Sequence, residues 1–339
     1  MSETAFSLEI NERFTRMCDT KVSGKKVELV SLGYQDTTPL FFSSDSEKSI
    51  EKQAEVITSL YNNLKIKKRG INVIIPDIYT YSQIVEMPKL KEKELLAAIH
   101  YQADEFIPMP IEETSIDLEI LREDPKSKKV LILIVASPKK IVNQIEKTIE
   151  MANLIPETLE NELSACGRLI SEVLQYKEGV ALYVNFGFSH CSIYLVDTAS
   201  SLIILSRTIK IGMELFVRDI KANLNWEEKK IYELLKTIGL NKNGSYDIES
   251  IVAPLVKELL QEIEKMMILA RDKYGLKVDR LYMLNFDQQI AMLDQKIQAY
   301  FSLAVTPLLL KDNLVNNTIA QSFAKDMSAF VPVIAGTIR

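Results

Sequence analysis

Glycine is scarce in this chain: 11 in 339 residues, about half the usual share of ~7%. No two glycines lie within four residues of each other, which excludes the phosphate-cradling GxGxxG loop, and no GxxxxGK[ST] loop occurs. The three cysteines (Cys18, Cys166, Cys191) have no CxxC spacing and no even pairing, which points to a reducing compartment. The two histidines, His100 and His190, are far apart in sequence and have no cysteine at ligand spacing, so a surface or packing role is expected rather than metal binding. Cys191 follows His190 directly, and neighbours on a strand face opposite ways, which argues against a Cys–His nucleophile. Neither G-x-S-x-G nor H-E-x-x-H occurs. No apolar run approaches the ~18–20 residues of a membrane span, and MSETAFSLEIN lacks the features of a signal peptide. A net charge of −5 offers no footprint for nucleic acid. These absences lead to the expectation of a cytoplasmic protein.

What is present is a folding sequence, 47% apolar and 26% charged, long enough for two domains. Phe6 to about Cys18 and Lys26–Leu32 read as two strands joined at Ser23-Gly24. Ser49–Leu64 places Ile50, Ala54, Ile57, Tyr61 and Leu64 on one helical face, and basic Lys65, Lys67, Lys68 and Arg69 follow as a solvated helix end. Strands are predicted at Ile71–Ile75, Tyr79–Val85, Leu118–Leu121 and Val130–Val135, and a helix capped by Ser137-Pro138 carries Ile141, Ile145, Ile149 and Ala152. A further helix is predicted from Glu157 to about Tyr176. Gly179–Val196 and Ser201–Ile211 then repeat the opening hairpin. Asn225 is expected to cap a helix that ends at Gly239. Glu249–Tyr274 is the longest helix, with Ile251, Leu255, Leu259, Ile263 and Met266 inward and Gly275 as its stop. A strand at Arg280–Leu284, a helix from about Gln288, extended Leu303–Leu309 and a helical tail follow.

The most informative stretch is EMPKLKEKELLAAIHYQADEFIPMPIEETSID, Glu86 to Asp117. Leu95, Ile99, Ala103 and Phe106 form one stripe of a helix predicted over Lys91–Phe106, bounded by Pro88, Pro108 and Pro110. Read by periodicity alone, this is an amphipathic core helix. Its wording, through Met87, Pro88, Leu90, Glu94, Leu95, Ile99, Ala103, Ile107, Pro108, Pro110, Glu112, Glu113 and Asp117, resembles the inserted subdomain of the PilM family, the actin-like proteins of type IV pilus assembly. Two hairpin-initiated α/β halves, one carrying a small insertion, suit the actin and sugar-kinase fold. Periodicity alone leaves that as one of several α/β arrangements, and the resemblance makes it the expected one. The division expected from it is 1–86 plus 156–177 as a first lobe, 87–155 as the insertion and 178–339 as a second lobe.

The resemblance also implies where nucleotide would bind, since actin-like ATPases hold phosphate on two glycine-bearing hairpin turns with magnesium-ordering carboxylates. The first turn aligns with Glu9-Ile10-Asn11-Glu12-Arg13, where Asn11 replaces the glycine and Arg13 is a substitute cation. The second aligns with Asn185-Phe186-Gly187-Phe188-Ser189-His190, where Asn185 replaces the aspartate and Gly187 and Ser189 fit. The glycine pair after the second hairpin reads Gly212-Met213, and the adenosine stretch, Leu284-Asn285-Phe286-Asp287-Gln288, has no glycine. The expectation is a degenerate site, no required cofactor and no enzymatic turnover. Its rival is a working ATPase using MgATP through Arg13 and Ser189.

The resemblance further implies a cytoplasmic scaffold, peripheral at the inner face of the membrane. It would clasp the N-terminal tail of a bitopic PilN-like protein and link it to pilus assembly ATPases or platform proteins. Glu112, Glu113 and Asp117 are the candidate partner-binding residues, beside a groove between the insertion and the first half. A filament-forming actin relative and a component of a type II secretion platform are the structural rivals to a pilus scaffold.

Overall fold

The computed structural model describes residues 5–44, 46–101, 107–124, 128–174, 179–197, 199–242, 244 and 246–339. The chain divides into two compact units. The first comprises Met1–Lys21, Val30–Arg168 and Val333–Arg339, and the second comprises Val22–Leu29 and Leu169–Pro332.

The first unit opens with β1 (Ala5–Ile10), β2 (Phe14–Ser23) and β3 (Lys26–Asp36). The stretch expected to be one strand from Phe6 to Cys18 is therefore two, because the chain turns at Asn11, whose N–H donates to the Phe14 carbonyl at 3.0 Å. Helix α1 (Glu47–Asn63) starts at Ser46, whose side chain accepts from the Ser49 N–H, an N-cap that satisfies one otherwise orphan donor. Strand β4 (Gly70–Ile75) pairs parallel with β1. The basic run at the helix exit is partly structural: Lys68 pairs with Asp19 at 2.7 Å, and Arg69 donates to the Asn153 carbonyl at 2.6 Å.

Strand β5 (Tyr81–Pro88) leads into α2 (Glu92–Tyr101), then β6 (Thr114–Asp124) and β7 (Lys129–Pro138). These strands make a three-stranded antiparallel sheet in the order β5-β7-β6. Leu95 and Ile99 of α2 are fully buried against Val130, Ile132, Ile134 and Ala136 of β7. Burial of this kind contributes roughly 1.5–3 kcal/mol per large side chain. The predicted extension of the stripe to Ala103 and Phe106 lies outside the described residues. Helix α3 (Lys139–Met151) begins after Pro138, which offers no side-chain cap, so Ser137 and Pro138 do not cap it as expected. Its Ile141, Ile145 and Ile149 join Ile57 and Leu60 of α1 in one core over the first sheet.

The predicted helix from Glu157 is a strand at first. β8 (Ile155–Asn161) pairs parallel with β4, and only then does α4 (Glu162–Leu169) begin, with a π-turn over Ile170–Leu174. The five-stranded order is β3-β2-β1-β4-β8. The closing residues of the chain are tied into this unit. Asn72 Nδ2 donates to the Gly336 carbonyl at 3.1 Å, and Arg168, bound to both oxygens of Glu160, donates to the Ile338 carbonyl.

The second unit repeats the pattern. β9 (Val180–Phe186), β10 (Cys191–Asp197) and β11 (Leu202–Ile209) form an antiparallel meander. Helices α5 (Met213–Leu224), α6 (Glu228–Thr237) and α7 (Ile248–Tyr274) follow. Asn225 closes α5 in the left-handed conformation, φ 52°, rather than opening the next helix. Asparagine tolerates that region through its short polar side chain. The long α7 starts at Asp247, which accepts from the Ser250 N–H, and stops at Gly275 with φ 66°. β12 (Arg280–Asn285), α8 (Leu293–Phe301) and β13 (Ala304–Pro307) complete a second sheet in the order β11-β10-β9-β12-β13. Residues 313–317 run beside the tip of the first hairpin: Val27 N–H donates to Asn313, and Val315 N–H to Val27, both at 2.9 Å.

Candidate functional site: the two hairpin turns and the inserted sheet

In the first unit the turn after β1 carries the predicted Glu9, Asn11 and Arg13. Asn11 Oδ1 accepts from the backbone N–H groups of Arg13 (2.9 Å) and Phe14 (2.7 Å). Backbone donors of this kind are what a phosphate-binding turn offers to its anion, and here the side chain of Asn11 takes them. Asn11 Nδ2 in turn donates to Glu9 Oε1 at 2.8 Å. The guanidinium of Arg13 is paired with Asp36 at 3.4 Å on the exterior.

Sequence reasoning missed Arg16. It is 2% exposed and sits 2.7 Å from Glu9 Oε1, forming a buried pair. Burial pushes the Glu9 carboxyl above its ordinary value, with Arg16 pulling the other way and Glu162 adding to the rise. The available signal was an arginine inside the buried part of a strand, a placement that demands a partner. Glu162 and Asp77, also missed, are buried and cap each other's segment. Asp77 N–H donates to Glu162 Oε2, and Leu163 N–H to Asp77 Oδ1, each at 3.1 Å.

In the second unit, Asn185 and Asn285 are brought together at the carboxyl ends of β9 and β12. Asn285 Nδ2 donates to Asn185 Oδ1 at 3.0 Å, and Asn185 Nδ2 to the Tyr194 hydroxyl at 3.3 Å. Both asparagines are buried. Gly187 N–H donates to His190 O at 2.8 Å, closing the turn, with Ser189 half-buried within it. The start of α5 is capped by this turn: Met213 N–H donates to the Gly187 carbonyl (3.1 Å) and Glu214 N–H to the Phe188 carbonyl (2.8 Å). Gly212 allows that approach, since a β-carbon there would lie 2.3 Å from the Phe188 oxygen. The glycines of this turn therefore serve close packing of turn on helix, and two donors of the helix N-terminus are already engaged. Phe188 and Phe286 pack ring to ring at 5.9 Å. Asp287, 3% exposed, accepts from Ser328 Oγ and Gln288 Nε2, each at 2.8 Å. Its burial pushes the carboxyl pKa up to about 6.

The predicted partner-binding residues belong to the inserted sheet. Glu112 and Glu113 are exposed on the short turn before β6, where Lys139 Nζ donates to the Glu112 carbonyl at 2.8 Å. Along β6, Ile116 and Leu118 pack under α2, whereas Asp117 alternates to the other face and is exposed. Among the described residues β6 is an edge strand, paired only with β7. His190 and all three cysteines are buried, the cysteines as free thiols. The described residues hold no cluster of three metal-ligating side chains and no helix long and apolar enough to cross a membrane.

A meander of three antiparallel strands extended by two parallel ones, occurring twice with an insertion in the first copy, defines the actin-like fold. Solved structures agree. The chain superposes on EutJ, an ethanolamine utilization protein from Carboxydothermus hydrogenoformans, with a TM-score of 0.54 at 8% identity, covering 98% of this chain and 88% of that one. MreB 5 of Spiroplasma citri bound to AMPPNP matches at 0.52 and 13% identity, covering 98% and 94%. A structure described as a PilM-PilN type IV pilus biogenesis complex matches at 0.83 and 18% identity over 99% of both chains. The family model "Type IV pilus assembly protein PilM" matches residues 40–330. The chain belongs to the PilM family of type IV pilus assembly proteins.

Proposed function

We propose that this chain is a non-catalytic scaffold of a type IV pilus assembly platform, binding the N-terminal tail of a bitopic PilN-like protein. In this role it lies in the cytoplasm at the inner face of the membrane, held there by that partner and linking it to the assembly ATPases. Family membership and the solved PilM-PilN relative support the partner class. The observation that carries the binding mode is the edge position of β6 in the inserted sheet. An extended tail adds to such an edge through main-chain hydrogen bonds, while alternate side chains give specificity. Exposed Glu112, Glu113 and Asp117 beside that edge favour a tail carrying lysine or arginine, acting mainly on association rate.

Nucleotide has no required part in this role. Asn11 Oδ1 already takes two backbone donors of the first turn, and the second turn caps α5. The test is tail-peptide binding to the full chain, with and without MgATP, at two salt concentrations. Expected are binding without nucleotide, moderate weakening by salt, and loss of association rate in a Glu112→Lys, Glu113→Lys, Asp117→Lys variant. Strict dependence on MgATP would favour a working ATPase, and unchanged binding in the triple variant would remove the acidic rim from the site.

A further inference from the structure

The long helix α7 has one face buried and one unpartnered. Val252, Leu255, Leu259, Ile263, Met266 and Ala270 are buried, on the side where α7 packs on α5 and β10. The opposite side presents Ala253, Lys257, Gln261, Glu264 and Ile268, all exposed. At about 100° per residue, Ala253, Glu264, Lys257 and Ile268 fall within roughly 60° of arc, so they make one stripe. Beside the stripe runs a groove of ≈ 560 Å³ between α7 and α8, floored by Val256 and Leu260 and walled by Ala299 and Tyr300. Tyr300 is 54% and Ile268 42% exposed. Two neighbouring lysines are satisfied within the chain, Lys265 by Glu262 and Lys296 by Glu249. Lys257 and Glu264 are in no ion pair among the described residues.

We propose that this face binds the same face of a second copy of the chain, with the two α7 helices antiparallel about a two-fold axis between Leu260 and Gln261. A two-fold contact is self-complementary: if one position meets another, the reverse contact also occurs. Positions equidistant from that axis meet, so Lys257 faces Glu264 of the partner subunit, and its own Glu264 faces the partner's Lys257. In the same register the methyl of Ala253 lies opposite the exposed Ile268 of the partner subunit, a small residue against a large one. Charge and size thus complement each other in a single register, which an arbitrary solvated face does not require. The stripe is about 22 Å long, and even with α8 it falls short of the ~800 Å² per partner of a standard interface. The dimer is therefore of the weak, transient class. This surface lies in the second unit and is independent of the proposed tail binding.

Sedimentation equilibrium of the full chain up to about 1 mM provides the test. Lys257→Glu and Glu264→Lys each turn two attractive pairs into two repulsive ones and should weaken the dimer about 10-fold or more. An equimolar mixture of the two variants should recover the wild-type affinity, because one chain then presents two acids and the other two lysines. Both positions are exposed, so thermal unfolding followed by circular dichroism should be unchanged. A monomeric wild type at 1 mM, a dimer indifferent to the reversals, or a mixture no tighter than its components would each overturn the proposal.

Discussion

Asp287 offers a prediction whose sign and size both follow from the structure. Its carboxyl is 3% exposed and held by Ser328 and Gln288, yet burial outweighs those bonds and raises the pKa to about 6. The unfolded chain titrates near 3.9. Between those values the folded state binds the extra proton, so this group's contribution to stability is full below about pH 4. It is lost as pH rises through about 6. Two units correspond to roughly 3 kcal/mol. Asp287→Asn removes the ionisation and keeps an acceptor for Ser328, at the cost of repelling the Gln288 amide unless that amide turns. We expect the variant to be more stable than wild type by about 1–2 kcal/mol at pH 8, with the gain gone or reversed at pH 4. Urea unfolding at both values, followed by near-ultraviolet circular dichroism, provides the measurement. An effect of equal size at pH 4 and pH 8 would refute the reasoning, because a pH-independent change means the carboxyl is not perturbed by its site.

The inserted sheet and the first turn supply two more tests. Leu95→Ala and Ile99→Ala should each cost about 2–5 kcal/mol as buried large-to-small changes. Glu94→Ala should cost roughly 1 kcal/mol, since Glu94 Oε2 caps the Lys91 N–H at 2.9 Å; equal losses at all three positions would contradict the packing. MgATP should bind no better than about millimolar, near −4 kcal/mol, and Asn11→Gly should destabilise by roughly 2–3 kcal/mol, as Glu9 loses a buried donor. Calorimetry giving micromolar affinity for the unaltered chain would sink the account of the occupied turn.

Periodicity placed α1, α3 and α7, because a buried face repeats every 3.6 residues, and Gly275 marked the end of α7, whereas the cap expected for α3 at Ser137-Pro138 is not formed. The stretch Glu86 to Asp117 pointed to the family, and that resemblance, rather than the two hairpins by themselves, made the actin-like fold the expected one. Strand β8 was read as helix, since ETLENELSACGRL carries helix-forming residues and only its parallel pairing with β4 makes Ile155–Asn161 extended. Asn225 suits both ends of a helix by its own chemistry, and the packing of α5 decided for the C-terminal end. At the candidate site the sequence named the turn residues but not their partners. That Asn11 turns its oxygen onto its own backbone and Glu9 meets Arg16 depends on the close spacing of β1 and β2. The hairpin tip Val22–Leu29 groups with the second unit and Val333–Arg339 with the first. No local pattern encodes such exchanges, because they rest on hydrogen bonds between segments remote in the chain, such as Val27 to Asn313 and Asn72 to Gly336.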